Sequence, residues 1–130
     1  MVIDSSALLA ILLSEPAAER IEQAINDDPV RFITGVSVVE ASIVVESRYG
    51  PIGGRELDLL LHNAAIEAAP LTPEQVDWAR YAARVFGRGR HPAQLNWGEC
   101  FSYALARVSG EPLLFQGKRF TETDIPAALG

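Results

Sequence analysis

Three acidic residues, Asp4, Glu40 and Glu99, stand where a chain of alternating strands and helices places reactive groups. Asp4 follows the apolar, β-branched pair Val2-Ile3, where a short buried strand would end. Glu40 lies near the start of a helix, and Glu99 heads another. In a parallel sheet such points converge on one edge, and α/β proteins gather functional groups outside the carboxyl ends of their strands. Carboxylates brought together repel and resist ionising together. A hard divalent cation relieves that repulsion, and a ligand set made only of oxygen suits Mg²⁺ or Mn²⁺. Such a site activates water and stabilises charge at a phosphodiester. Each residue also has a structural reading. Asp4 is a good N-cap for a helix starting near Ser6. Glu40 behind Ser37, and Glu99 behind Asn96, occupy capping-box positions.

The elements that must position these groups are legible in outline. Val2-Ile3 is a first strand, and Ala7 to Leu13 suits a helix. Pro16 suits the first turn of a second helix, with Glu15 and Glu19 near its start and Ala17 to Ile25 continuing it. Asn26-Asp-Asp-Pro29 is a turn, and Arg31 to Thr34 a second strand. Ser37 caps a helix running to about Tyr49, with Val36, Val39, Ile43 and Val44 as its apolar stripe, ended by Gly50-Pro51. Ile52 to Glu67 fits another helix, and Ala68 to Leu71 is a weak third strand. Thr72-Pro-Glu-Gln75 is a strong start for a helix running to about Phe86. Asn96 caps a helix to about Ser109, with Gly110 as its stop. Leu113 to Phe115 is a last short strand. This order predicts an α/β fold, a three-layer α/β/α sandwich with a short parallel sheet, as a single domain over residues 1–130.

Composition bounds the function. The chain is 48% hydrophobic and 22% charged, as in a soluble globular domain, with no apolar run as long as a membrane span. Nothing at the start resembles a signal peptide. Cys100 is the only cysteine, which excludes an internal disulfide and a multi-cysteine zinc site and fits a cytoplasmic setting. The net charge of −6 argues against simple nonspecific binding to nucleic acid. Between Trp78 and Gly110, however, Arg80, Arg84, Arg88, Arg90 and Arg107 accompany a single acid, Glu99. Arg80, Arg84 and Arg88 recur every fourth residue and share a helical face.

Several runs together resemble a known family: Met1-Val-Ile-Asp-Ser-Ser-Ala-Leu8, Val39-Glu-Ala41, Gly89 to Ala106 with its Leu95-Asn-x-Gly98 core, Glu111 to Gly117, and Phe120-Thr-Glu-Thr-Asp-Ile125. They look like a PIN domain of the VapC toxin type, from end to end and in consistent order. The resemblance implies a metal-dependent endoribonuclease, a hydrolase of phosphodiester bonds and the toxin of a toxin–antitoxin pair. It further implies cleavage of structured RNA such as tRNA or rRNA, a VapB-like antitoxin partner, and a homodimer. By motif, Asp4 and Glu40 match acidic site residues. Glu99 stands where the family usually has Asp, and Asp4 and Glu99 are the expected metal ligands. Ser5 and Ser6 match the hydroxyl positions that support the cluster. Asp124 matches a Thr-Asp pair and is expected to support the site.

Two departures stand out. Glu99 moves its charge by one methylene relative to Asp. Lys118-Arg119 replaces the polar or acidic residues usual before the phenylalanine at position 120. These cations would weaken metal binding, pair with the carboxylates, or bind RNA phosphates. Arg84, Arg88, Arg90, His91, Lys118 and Arg119 are the expected RNA contacts. Trp78 and Trp97 have a base-stacking reading, with core or dimer packing as the default. The departures also motivate a rival reading, a PIN-fold module that binds antitoxin or RNA without cleaving. A weaker one, a receiver-like signalling domain using Lys118, conflicts with the Leu95-Asn-x-Gly98 match.

Overall fold

The computed structural model describes residues 1–129. Strands β1 (Val2–Ile3), β2 (Phe32–Thr34), β3 (Glu67–Ala69) and β4 (Leu113–Leu114) form one parallel sheet, ordered β3-β2-β1-β4. Six helices accompany it among the described residues: α1 (Ser5–Leu12), α2 (Ala18–Asp27), α3 (Gly35–Tyr49), α4 (Pro51–Asn63), α5 (Pro73–Phe86) and α6 (Trp97–Ser109). A 3₁₀ turn spans Arg119–Glu122. None of these helices is long and apolar enough to cross a membrane.

Alternation along each strand divides the core into two layers. Val2 pairs in register with Leu113, and both face the cluster built by α5 and α6. Ile3 pairs with Leu114, and with Ile33 they face the cluster built by α1 to α4. The sandwich expected from the sequence is thus observed. Strands of two residues have little ladder to hold them. Ile3 and Leu114 are fully buried, and burial of each contributes roughly 1.5–3 kcal/mol relative to exposure.

Topology locates the site. From β1 the chain moves to β2 and β3 on one side, then returns to place β4 on the other. The order of strands reverses between β1 and β4, and ligands bind outside the carboxyl ends at such a switch point. Asp4 is the residue after β1, and its backbone N–H donates to the Leu114 carbonyl at 2.9 Å.

Several boundaries differ from the sequence reading. The second helix starts at Ala18, leaving Glu15 and Pro16 in the preceding turn. The helix from Pro51 ends at Asn63, because Ala65 adopts φ +51° and turns the chain into β3 at Glu67. The third helix begins at Gly35 and is capped by Thr34, whose hydroxyl accepts from the Ser37 N–H at 2.9 Å. Ser37 is therefore inside the helix, and Glu40 lies in its second turn without a capping-box role. The stripe is also displaced: Ser37, Ala41 and Val45 are buried, while Val39 and Ile43 are 58% and 62% exposed. Ser37 and Ala41 let α3 approach its neighbours and Val45 fills the same face, while Val39 and Ile43 face outward.

Candidate active site

Asp4 is 1% exposed and is the most connected side chain of the site. It caps α1, its Oδ2 accepting from the Ser6 N–H at 3.0 Å and from the Ser6 hydroxyl at 2.7 Å. The Ser102 hydroxyl donates to Oδ1 at 2.6 Å. The capping role is observed, and it leaves Asp4 at the candidate site as well. Ser6 in turn accepts from the Gln116 N–H at 3.1 Å, which ties α1 to the segment after β4. Ser6 rather than Ser5 supplies the supporting hydroxyl.

Behind Ser102 lies a directional chain. Ser102 gives its one hydroxyl proton to Asp4, so in its 3.1 Å contact with Ser37 it must accept. Ser37 in turn accepts from the Thr34 hydroxyl at 3.1 Å. Thr34, Ser37 and Ser102 are all buried, and their protons run toward the carboxylate. A buried network in which every member is satisfied fixes one orientation. Among the described residues no buried side-chain nitrogen or oxygen lacks a partner.

Glu99 forms the capping box of α6. Its Oε1 accepts from the Asn96 N–H at 2.8 Å, while the Asn96 side chain accepts from the Glu99 N–H at 2.9 Å. Oε1 also meets Arg119 Nη1 at 3.2 Å, and the same Nη1 donates to the Gln94 carbonyl at 3.3 Å. Of the three outcomes open to the cation at position 119, pairing with a carboxylate is the one observed. Glu40, on α3, lies against α6: a Cβ on Gly98 would fall 2.0 Å from Glu40 Oε1. Glycine at 98 leaves room for that carboxylate.

The three acids share one electrostatic space. Burial pushes Glu40 above the ordinary carboxylate range, and the charges of Asp4 and Glu99 push it further. Burial likewise raises Glu99, as does Asp4, while the Asn96 N–H and Arg119 pull the other way. Carboxylates raised in this way by burial and by one another mark a candidate functional site.

The donor set suits a divalent ion in its chemistry. A carboxylate has about four lone-pair sites, and Asp4 uses one on Oδ1 and two on Oδ2. Glu99 uses Oε1 for its hydrogen bonds, leaving Oε2 for a ligand. Among the described residues no three His, Cys, Asp or Glu side chains form a ready-made metal cluster. Mg²⁺ does not require one, since it keeps several waters and takes one or two carboxylates directly.

Other expected residues lie elsewhere. Asp124 accepts from the Tyr103 hydroxyl at 2.9 Å and from Arg107 at 3.0 Å, further along α6, and no hydrogen bond or ion pair links it to the three acids. Arg107 also stacks over half-buried Trp78, its guanidinium 4.4 Å from the ring centre. His91 Nδ1 accepts from the Ala93 N–H at 3.0 Å, and its ring meets Phe86 edge-on, a loop-stabilising placement. Arg84, Arg88, Arg90 and Lys118 are exposed. Cys100 is buried, and burial together with Glu99 pushes its thiol up to about 11, which leaves it inert. The sequence reading did not single out Thr34 or Ser102. Ser102 follows Glu99 by three residues, a spacing that shares a helical face, and it interrupts a buried stripe.

A parallel sheet with an acidic site at its switch point is the arrangement of a PIN domain. Residues 1–126 match the family model described as PIN domain, and the chain belongs to that family. Among curated relatives, Ribonuclease VapC of Mycolicibacterium smegmatis is 57% identical over 127 residues, covering 98% of each chain. Ribonuclease VapC30 of Mycobacterium tuberculosis is 53% identical over 125 residues, covering 96% of this chain and 95% of its own. The chain is thus a VapC-type ribonuclease, a hydrolase acting on RNA and the toxin member of a VapB–VapC pair. A crystal structure of Mycobacterium tuberculosis VapC20, titled a sarcin-ricin loop cleaving toxin, superposes with a TM-score of 0.77 at 12% identity over 95% of each chain, which supports the fold. PIN-domain ribonucleases of this type generally depend on a divalent metal.

Proposed function

We propose that Asp4, Glu40 and Glu99 are the catalytic carboxylates of this ribonuclease, with Asp4 and Glu99 holding Mg²⁺ or Mn²⁺. The observation that carries the reading is the placement of the three acids: Asp4 at the end of β1 and bonded to Ser102 of α6, Glu99 in the first turn of α6, and Glu40 against Gly98 of that same turn. A bound cation would supply Lewis acidity and a more acidic water. The chain's own residues do the positioning. Thr34, Ser37, Ser102 and Ser6 fix the Asp4 carboxylate from both of its oxygens. Glu40, without a hydrogen-bonded partner among the described residues and holding its proton more tightly than an ordinary glutamate, is placed to exchange a proton with water or a leaving oxygen.

The substrate we infer is structured RNA, such as tRNA or rRNA, with Arg84, Arg88, Arg90 and Lys118 available to its phosphates. A VapB-like antitoxin, a homodimer and a cytoplasmic setting go with this reading. The Arg119–Glu99 pair favours a second reading, a PIN-fold module that binds RNA or antitoxin without cutting, because the guanidinium already neutralises one ligand.

The test is cleavage of total RNA by antitoxin-free protein with Mg²⁺, with Mn²⁺ and with chelator, beside Asp4→Asn. Metal-dependent cutting that disappears in the variant supports the catalytic reading. Folded wild-type protein that cuts with neither metal supports the binding module instead, and undiminished cutting by Asp4→Asn removes Asp4 from the mechanism.

A further inference from the structure

Beside the acidic site, between α5 and the start of α6, lies a groove of about 360 Å³ with an apolar floor that includes Ala79, Leu95 and Phe101. Arg80 and Arg88 line it, and no acidic residue does. Trp97, the first residue of α6, also lines it and is 69% exposed, with Phe101 meeting its ring edge-on at 5.1 Å. A large aromatic left so exposed at the rim of an apolar groove marks a contact surface. Among the described residues neither Arg80 nor Arg88 forms an ion pair with a carboxylate.

The geometry points to a subsite for one unpaired nucleobase of single-stranded RNA, stacked on Trp97, with the flanking phosphates on Arg80 and Arg88. Charge decides between occupants. A chain of net charge −6 repels a polyanion at long range, so attraction must be local, and here two unpaired cations flank an aromatic face. That pairing of a basic groove with a stacking platform is how single strands are held without base-specific hydrogen bonds. The groove also joins the acidic site: Asn96 lines it while giving its backbone N–H to Glu99. A base bound there would hold the strand beside the Asn96–Glu99 capping box. The inference rests on the ribonuclease reading of those carboxylates and supplies a substrate contact for it.

The experiment is fluorescence anisotropy of a labelled single-stranded hexanucleotide RNA, titrated with protein in chelator so that nothing is cut. Trp97→Ala is expected to bind about tenfold more weakly, the scale of losing one aromatic–base stack, and Trp97→Phe to recover most of that loss. Arg80→Gln and Arg88→Gln should each flatten the slope of log affinity against log salt by about 0.7. Wild-type affinity in Trp97→Ala overturns the subsite. So does sedimentation showing that Trp97→Ala turns a dimer into a monomer, since a second copy would then cover the groove. Weakened binding by Trp97→Ala in a protein that never cuts with metal keeps the subsite and removes the ribonuclease reading.

Discussion

The Glu40 carboxylate rests against Gly98, so closely that a methyl at position 98 would stand 2.0 Å from Glu40 Oε1. The contact joins α3 to the first turn of α6. It makes the glycine of the Leu95-Asn-x-Gly98 motif a matter of the active site. Gly98→Ala should displace the far end of Glu40, a flexible group, and leave the backbone in place. Alanine is otherwise the better helix former by up to about 1 kcal/mol. The expected result is unchanged or slightly raised Tm with cleavage reduced on the order of 10²-fold, the cost of a misplacement of about 1 Å. Parallel melting and cleavage measurements check it.

Asp4→Asn should keep the fold and lose cleavage. An amide nitrogen facing Ser102 reverses the demand on that hydroxyl. Ser102 can accept from it, donate to Ser37, and Ser37 can then donate to Thr34. Asp4→Ala offers no such exchange and leaves the donors around position 4 unanswered, each at about 1–3 kcal/mol. Comparison of the two variants by denaturant unfolding should place Asp4→Asn clearly above Asp4→Ala in stability, with both inactive.

Ser102→Ala removes a bond to a charged group and takes away one partner of the buried Ser37 hydroxyl, which keeps its bond with Thr34 alone. A loss of about 2 kcal/mol is expected, together with a fall in cleavage because Asp4 loses its anchor on Oδ1. Chemical denaturation measures the first and a cleavage time course the second. A variant as stable and as active as wild type would show that Ser102 does not position Asp4.

Protonation of Glu40 and Glu99 links stability to pH. Both are raised above the ordinary 4.5 in the folded chain, so the folded state holds these protons more tightly than the unfolded state. The stability they contribute is fully present below pH 4.5 and is lost as pH climbs through the raised values. In chelator, Glu40→Gln should therefore melt a few degrees above wild type near pH 7.5 and lose that advantage near pH 4. Added Mg²⁺ should narrow the gap at the higher pH by neutralising the repulsion. Thermal melts across this range test the sign.

Arg119 occupies the Oε1 side of Glu99 at 3.2 Å. Arg119→Gln should remove the cation that neutralises Glu99, leave the Asn96 N–H on Oε1, and tighten Mg²⁺ binding several-fold by calorimetry. An unchanged affinity would mean that the guanidinium does not compete with the ion.

Local chemistry made part of this molecule legible in its sequence. Asn96 with Glu99, Thr72 before Pro73, and Gly110 past α6 each announce an end through their own neighbours, and all three hold. Val36, Val39, Ile43 and Val44 repeat at helical spacing, yet α3 buries Ser37, Ala41 and Val45. Periodicity identifies a helix without saying which of its faces meets a neighbour. Ser37 reads as a cap until Thr34 is seen to cap α3, which frees Ser37 for a partner 65 residues away. Ser102 has the same character, since its meaning depends on Asp4, 98 residues earlier. Asp124 looked like site support from its motif, and its bonds to Tyr103 and Arg107 place it further along α6.

The return of the chain to β1 orders events during synthesis. Asp4 is made well before its support: Ser102 on α6, 98 residues later, and Gln116, whose N–H holds Ser6 across 110 residues. A nascent chain that stops before α6 carries the aspartate with no hydroxyl on Oδ1, no Glu99 and no Gly98 for Glu40 to rest against. The acidic site of this fold therefore comes together only after α6 has been made.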